Sequence, residues 1–182
     1  MGQEKLMLPV DGRPMIQKIA ETVSKSLADE SILIYRRIEV MEAALDYVTK
    51  SAHNPKASVG QSEAIRLGLR YVHPECLACL FVMGDQPRIT VNLINKLIEA
   101  GKKNPDRIIV PVYDKQTGSP VLFPVEFWPE LQSLSGDEGG RKVIQSHPDR
   151  ILKVVINDES AWMDADTWED YEKIIKKGRS RQ

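Results

Sequence analysis

The unbroken apolar run Cys76-Leu77-Ala78-Cys79-Leu80-Phe81-Val82 constrains the fold more than any other stretch of the chain. A strand covered by helices on both faces reads as such a run, without polar alternation. It ends at Met83-Gly84-Asp85-Gln86-Pro87. Gly84 lets the backbone turn there, which leaves the Asp85 carboxylate at the carboxyl edge of a sheet. That edge is where open α/β sheets bind ligands. Pro87 stiffens the exit, and Thr90 is placed to cap the following helix. A carboxylate held there suits Mg2+, which takes one or two carboxylates and fills its shell with phosphate oxygens and water. A turn that simply contains an aspartate fits the same residues.

Helical and extended stretches alternate along the rest of the chain. Pro14 opens a helix with Ile16, Ile19, Ala20 and Val23 at helical spacing. Residues 31–35 form a short strand, 40–48 a helix and 53–59 a polar loop. Residues 61–72 form a helix with Ile65, Leu69 and Val72 turned inward, and the strand over 77–83 follows. The helix over 90–100 buries Val91, Ile94, Leu97 and Ile98 and ends at Gly101. Strands follow over 107–112 and 151–156, with an extended piece over 121–123 between them. Pro124 starts a helix carrying Phe127, Trp128 and Leu131. A short helix covers 141–145, and Thr167 opens the last one, with Trp168, Tyr171, Ile174 and Ile175 on one face. This alternation predicts an α/β fold of three layers, α/β/α and Rossmann-like, around a mostly parallel central sheet. There is no internal repeat, low-complexity segment or linker, so residues 1–182 are expected to form one domain.

Apolar residues make up 42% of the chain and charged ones 28%, an ordinary globular balance, and the net charge of −1 recruits neither nucleic acid nor membrane. Lys173, Lys176, Lys177, Arg179 and Arg181 read as a solvated tail that complements a helix C-terminus. Tyr35-Arg36-Arg37 reads as surface. Cys76 and Cys79 have C-x-x-C spacing but lie in the apolar run, so they are expected to be core thiols in a reducing compartment. No apolar run approaches the ~20 residues of a membrane span. No signal-peptide pattern opens the chain, so a cytoplasmic location is expected.

Three further stretches carry chemistry-bearing residues. Gly2-Gln3-Glu4-Lys5 joins a flexible backbone to a cation, a pair that holds phosphate or is a frayed terminus. Gly136-Asp137-Glu138-Gly139-Gly140-Arg141 precedes a short helix. Its N–H groups and Arg141 suit an anion, or Asp137 caps the helix. In Asp164-Ala165-Asp166-Thr167 the carboxylates at i and i+2 of an extended piece point the same way. They fit a metal shared with Asp85, and they equally fit helix capping; the two uses are compatible. His53, His73 and His147 lack zinc-ligand spacing. There is no nucleophile elbow, no P-loop lysine and no aromatic–basic nucleic-acid face.

Together, in this order, the pieces resemble the molybdenum cofactor cytidylyltransferase family, within the MobA-like NTP transferases of Rossmann-like nucleotidyltransferase fold. The matching residues are Met1-Gly2-Gln3-Glu4-Lys5-Leu6 with Leu8-Pro9, then Gly12-Arg13-Pro14, Asn54, Gly60 and Gly68-Leu69. Gly84-Asp85-Gln86-Pro87 and Gly118-Ser119-Pro120-Val121-Leu122-Phe123 follow, then Gly136-Asp137, Gly139, Arg141 and Asp164-Ala165-Asp166-Thr167. The resemblance implies transfer of CMP from CTP, or GMP from GTP, to the phosphate of molybdopterin with release of pyrophosphate. It implies that Lys5 and Gly2 contact the triphosphate, and that Asp85 binds Mg2+ with Asp164 or Asp166. It sets Gly60 and Gly84 at the nucleotide, and Gly118, Pro120, Gly136, Asp137, Gly139 and Arg141 on the acceptor side. A molybdenum hydroxylase receiving the cofactor is an implied partner. A guanylyltransferase on the same fold, or an accessory protein that only binds molybdopterin, are the alternative readings.

Positioning and charge neutralisation dominate such phosphoryl chemistry, and the acceptor phosphate is already an anion. The lack of a Ser-His or Cys-His pair therefore agrees with the resemblance. Two departures stand out. The family carries a strand and a loop of the form L-A-A-G-x-S-x-R ahead of the M-G-x-x-K piece, and this chain begins at that methionine. The absent segment would supply the central strand and most of the triphosphate cradle. Ala64 stands where a serine is expected, which removes one hydroxyl contact to the nucleotide.

Overall fold

The computed structural model describes residues 4–179. Near its start, β1 (Pro9–Val10) and β2 (Arg13–Pro14) form an antiparallel hairpin. Asp11 and Gly12 turn it at φ of 51° and 80°. Proline at the end of β2 leads directly into α1 (Met15–Ser24), whose Met15, Ile16, Ile19 and Ala20 are buried. Then come β3 (Ile32–Tyr35), α2 (Ile38–Ala44), β4 (Lys50–His53), α3 (Gln61–Tyr71), β5 (Ala78–Phe81) and α4 (Val91–Lys103). The second half holds β6 (Ile108–Tyr113), β7 (Gln116–Thr117), β8 (Val121–Pro124), α5 (Trp128–Ser133), α6 (Gly140–Ser146), β9 (Ile151–Val155) and α7 (Trp168–Arg179).

The strands confirm an α/β architecture with helices packed around a mixed sheet. β5, β6 and β9 run one way: β6 pairs in parallel with β9, and β8 lies antiparallel between β5 and β6. The reversal begins at Asp114 and Lys115, both at positive φ, which turn β6 back on itself as a hairpin. The register then shifts across residues 118–120, from Val112↔Thr117 to Ile109↔Leu122. β3 and β4 form a separate parallel pair. The helix-forming intervals between strands put the carboxyl ends of β5, β6 and β9 on one rim.

Two helices bridge the two sheets. On one face α3 sets Gly68 against Ile34 of β3 while its Ile65 and Leu69 pack with Cys79 and Phe81 of β5. On the other, α1 sets Ile16 and Ala20 against Leu33 and Tyr35, and its Val23 against Leu80 and Val82. β3 and β5 thus share both covering layers, yet among the described residues neither pairs with the other. Glu30 joins their starts, accepting from His73 N at 2.7 Å and from Cys76 Sγ at 3.6 Å.

Several local expectations change. The strand predicted over 77–83 is shorter, and Leu77 is 74% exposed; among the described residues β5 pairs only with β8. Cys79 is packed in the core, where burial pushes its thiol up to about 12, whereas Cys76 lies outside the strand and only partly buried. Gly101 does not end its helix. It is buried within α4, where a Cβ would come within 3.0 Å of Leu122. β4 appears between the helix predicted over 40–48 and the loop predicted over 53–59, overlapping the loop only at His53. Its sequence Lys-Ser-Ala-His buries only Ala52, so it shows no apolar alternation.

Candidate active site

Gly84 and Leu6 decide where the first catalytic candidate sits. A Cβ on Gly84 would meet Leu6 at 3.3 Å. The bare glycine lets Leu6 close onto the end of β5, and the preceding residue, Lys5, is carried over Asp85. Lys5 Nζ donates to Asp85 Oδ2 at 2.8 Å and to Asp166 Oδ1 at 3.0 Å. Burial opposes charging of Lys5, but the hydrogen bonds to Asp85 and Asp166 outweigh it and hold the ammonium above its ordinary value.

The second acidic segment is pinned by its backbone. Ala165 N donates to Asp85 O at 3.1 Å, and Ala165 is fully buried beside Leu8, Val10, Met15 and Ile19. With Ala165 inward, its neighbours Asp164 and Asp166 project from the opposite side of an extended piece. Capping does not occupy them. Thr167 caps α7, its Oγ1 accepting from Asp170 N at 3.1 Å and donating to Asp170 Oδ2 at 2.6 Å. Partial desolvation, then the like charges of Asp166 and Asp85, hold the Asp164 carboxyl above the usual carboxylate range. Asp85, Asp164 and Asp166 therefore share one electrostatic neighbourhood. Among the described residues, no three His, Cys, Asp or Glu side chains form a ready-made metal cage. The donor set still suits Mg2+, which uses few carboxylates. The Lys5 ammonium bridges Asp85 and Asp166 and so already neutralises part of their charge.

Gly60 and Gly136 build the adjoining wall. Gly60 precedes α3 at φ +130°, and a Cβ there would fall 2.3 Å from the Gly136 backbone. Ser62, fully buried, locks this contact: its Oγ donates to Gly136 O at 2.8 Å and its N at 3.2 Å. A Cβ on Gly139 would meet Gln61 Oε1 at 2.2 Å. Gln61 Nε2 in turn reaches Met83 Sδ at 3.6 Å, beside Gly84. Thus Gly60, Gly84, Gly136 and Gly139 line neighbouring parts of one rim. Asp137 makes no cap bond to α6, whose first turn follows Gly139, and both Asp137 and Arg141 are exposed.

Gly118 touches the same rim from the β7–β8 connection. Its N donates to Pro111 O at 3.3 Å, and Trp162 lies so close that a Cβ would come within 1.9 Å of the indole. Pro120, expected on the acceptor side, is fully buried, so its ring serves packing. Gly2 lies outside the described residues. Arg88, next to the Asp85 motif, ties the rim down by donating to both oxygens of Asp11, at 2.9 and 3.2 Å, and to Ile174 O at 2.8 Å.

Leu6, Ser62, Gln61, Arg88 and Trp162 were not legible as site residues. Each acts through a partner distant in sequence, and only Ser62, two positions after Gly60, carried a local hint as a hydroxyl in the first turn of a helix whose cap is a glycine.

Comparison with known proteins follows from this geometry. Residues 1–151 match a family described as MobA-like NTP transferase domain. The purine catabolism protein PucB of Bacillus subtilis (strain 168) is 26% identical over 188 residues, spanning 96% of this chain and 89% of that protein. The molybdenum cofactor guanylyltransferase of Vibrio atlanticus is 24% identical over 156 residues, 85% of this chain and 76% of that one. Among solved structures, Rv0371c of Mycobacterium tuberculosis H37Rv, in complex with manganese, has a TM-score of 0.81 at 24% identity, covering 96% of this chain and 93% of that chain.

Proposed function

Since the chain belongs to the MobA-like NTP transferase family and is an enzyme of the nucleotidyltransferase class, we propose that it moves CMP from CTP to the phosphate of molybdopterin. One observation carries this reading: Lys5 lies between Asp85 and Asp166 at the carboxyl rim of the sheet. In the reaction, an oxygen of the acceptor phosphate bonds to the α-phosphorus as the bond to the bridging α–β oxygen breaks, and pyrophosphate leaves. The acceptor is already ionised, so no protein base takes a proton. Lys5 swings to the triphosphate and offsets the charge that builds on the departing pyrophosphate. Asp85, with Asp164 or Asp166, would hold Mg2+, which would supply charge neutralisation to the phosphates. A relative in fold solved in complex with manganese is consistent with a dependence on a divalent ion. The contact of Gly60 with Gly136 keeps the base side and the acceptor side adjacent, with backbone in place of side chains.

In this reading residues 1–182 act as one unit, and the product passes to a molybdenum hydroxylase.

Guanylyl transfer is the second reading, favoured by the Vibrio atlanticus guanylyltransferase, which aligns over 85% of the chain. Pyrophosphate release with molybdopterin and Mg2+ separates them: release with CTP and not GTP supports the first, the reverse the second. Binding of molybdopterin with no release from either nucleotide would instead mark an accessory protein. Asp85→Asn should abolish release while far-UV circular dichroism stays unchanged; release at the wild-type rate removes Asp85 from the mechanism.

A further inference from the structure

The oxygens that Lys5 engages are those a divalent ion would need. Its ammonium takes Oδ2 of Asp85 and Oδ1 of Asp166, and these side chains are 18% and 66% exposed, so the contact lies at the mouth of the rim and not within the core. The backbone beneath Lys5 is fixed. Leu6 and Met7 pack against the Val40–Ala44 side of the α1–α2 cluster, and Met15 N donates to Leu8 O at 3.0 Å. The side chain above that anchor is four methylenes long, and an ammonium has no fixed bonding plane. The head can therefore change partners while the chain around it stays still.

The charge balance makes this exchange conditional. With Asp85, Asp164 and Asp166 ionised, Lys5 cancels part of the negative field and repels a second cation from the same oxygens. A nucleoside triphosphate supplies the competing anion. Once the ammonium turns to phosphate, both carboxylates are released together and a bivalent ion can enter.

We propose that Lys5 is a resident counter-ion that keeps Asp85 and Asp166 closed to a divalent cation until a triphosphate draws it away. Metal and nucleotide then bind with positive coupling, each raising the other's affinity by the same factor. The inference rests on the reading of Asp85 and Asp166 as metal holders given above.

The test uses the full chain and Mn2+ alone, with free Mn2+ read by electron paramagnetic resonance at constant ionic strength. Lys5→Met should bind Mn2+ about tenfold more tightly than wild type, inside the roughly 5–150-fold span usual for linked sites. Lys5→Gln, which keeps a donor but removes the charge, should show the same gain and guards against a packing defect in the methionine variant. Lys18→Met, which removes a cation paired instead with Asp11, should show none. Adding Asp85→Asn to Lys5→Met should erase the gain. If Lys5→Met and Lys5→Gln bind Mn2+ no better than wild type while Asp85→Asn weakens it, the counter-ion role is wrong and the metal assignment stands. If Asp85→Asn leaves the affinity of Lys5→Met intact, or no variant binds Mn2+, the assignment and the inference fail together.

Discussion

Replacing Gly60 with alanine tests how the wall of the site is built. Gly60 sits at φ +130°, outside the region that L-residues adopt, and its added Cβ would lie 2.3 Å from both C and O of Gly136 and 2.6 Å from Asp137 N. All three atoms are backbone, so no side chain can rotate out of the way. Either the start of α3 or the 136–137 turn must move. The strained conformation costs about 1–3 kcal/mol. Movement also breaks the paired bonds from Ser62 to Gly136 O, and leaving those buried groups unmet costs about 1–3 kcal/mol more. A total near 4 kcal/mol corresponds to a fall in Tm of about 8–16 °C for a chain of this length. The control is Gly136→Ala. Its φ of +56° lies in the left-handed region that alanine can enter for about 1–2 kcal/mol, and its Cβ would meet nothing closer than Val59 O at 4.0 Å. That variant should lose only about 2–8 °C. Thermal unfolding followed by circular dichroism measures both. Equal losses in the two variants would refute the claim that direct backbone contact between residues 60 and 136 shapes the rim.

The remaining predictions concern the rim and the sheet. Gly118→Ala drives the Trp162 indole from its seat, with a cost of about 1–3 kcal/mol for overpacking, so its near-ultraviolet circular dichroism should change; an unaltered spectrum refutes the contact. Arg88→Met removes hydrogen bonds to Asp11 and Ile174 O and should lower stability at pH 7 by about 2–3 kcal/mol in urea unfolding. The hydrogen bond from Lys18, and then Arg88, hold the Asp11 carboxyl below its ordinary 3.8. That contribution is present above pH 3.8 and fades as pH falls through the lowered value, so the deficit of Arg88→Met should shrink near pH 2. A deficit independent of pH would count against the ion pair.

What could be read in advance follows from how local each cause is. Asp85 was legible because an apolar strand and a glycine turn identify a sheet edge within a dozen residues. The caps at Thr90 and Thr167 were legible for the same reason; Thr90 Oγ1 accepts from Leu93 N at 3.2 Å. The grouping of Asp85 with Asp166 was open in the sequence only as one use of these carboxylates beside capping, since it depends on Ala165 docking against residues encoded far upstream. The hairpin of β6 with β7 and β8 escaped because Asp114-Lys115 lacks the glycine that usually marks such a turn. β4 escaped because a parallel strand at the flank of a sheet needs no apolar alternation when only Ala52 faces inward. Gly101 misled because a small residue chosen for close approach to Leu122 looks identical, in sequence, to one that terminates a helix.

The backbone hydrogen bond from Ala165 N to the carbonyl of Asp85 has a biosynthetic corollary. The acidic side chains are split between Asp85 and the much later Asp164–Asp166 stretch, so a ribosome-bound intermediate cannot gather them until that later stretch has emerged. A compound held by these carboxylates would favour chains in which both stretches have docked, and at free concentration L would resist unravelling by RT ln(1 + L/Kd), a logarithmic and not a linear gain with concentration.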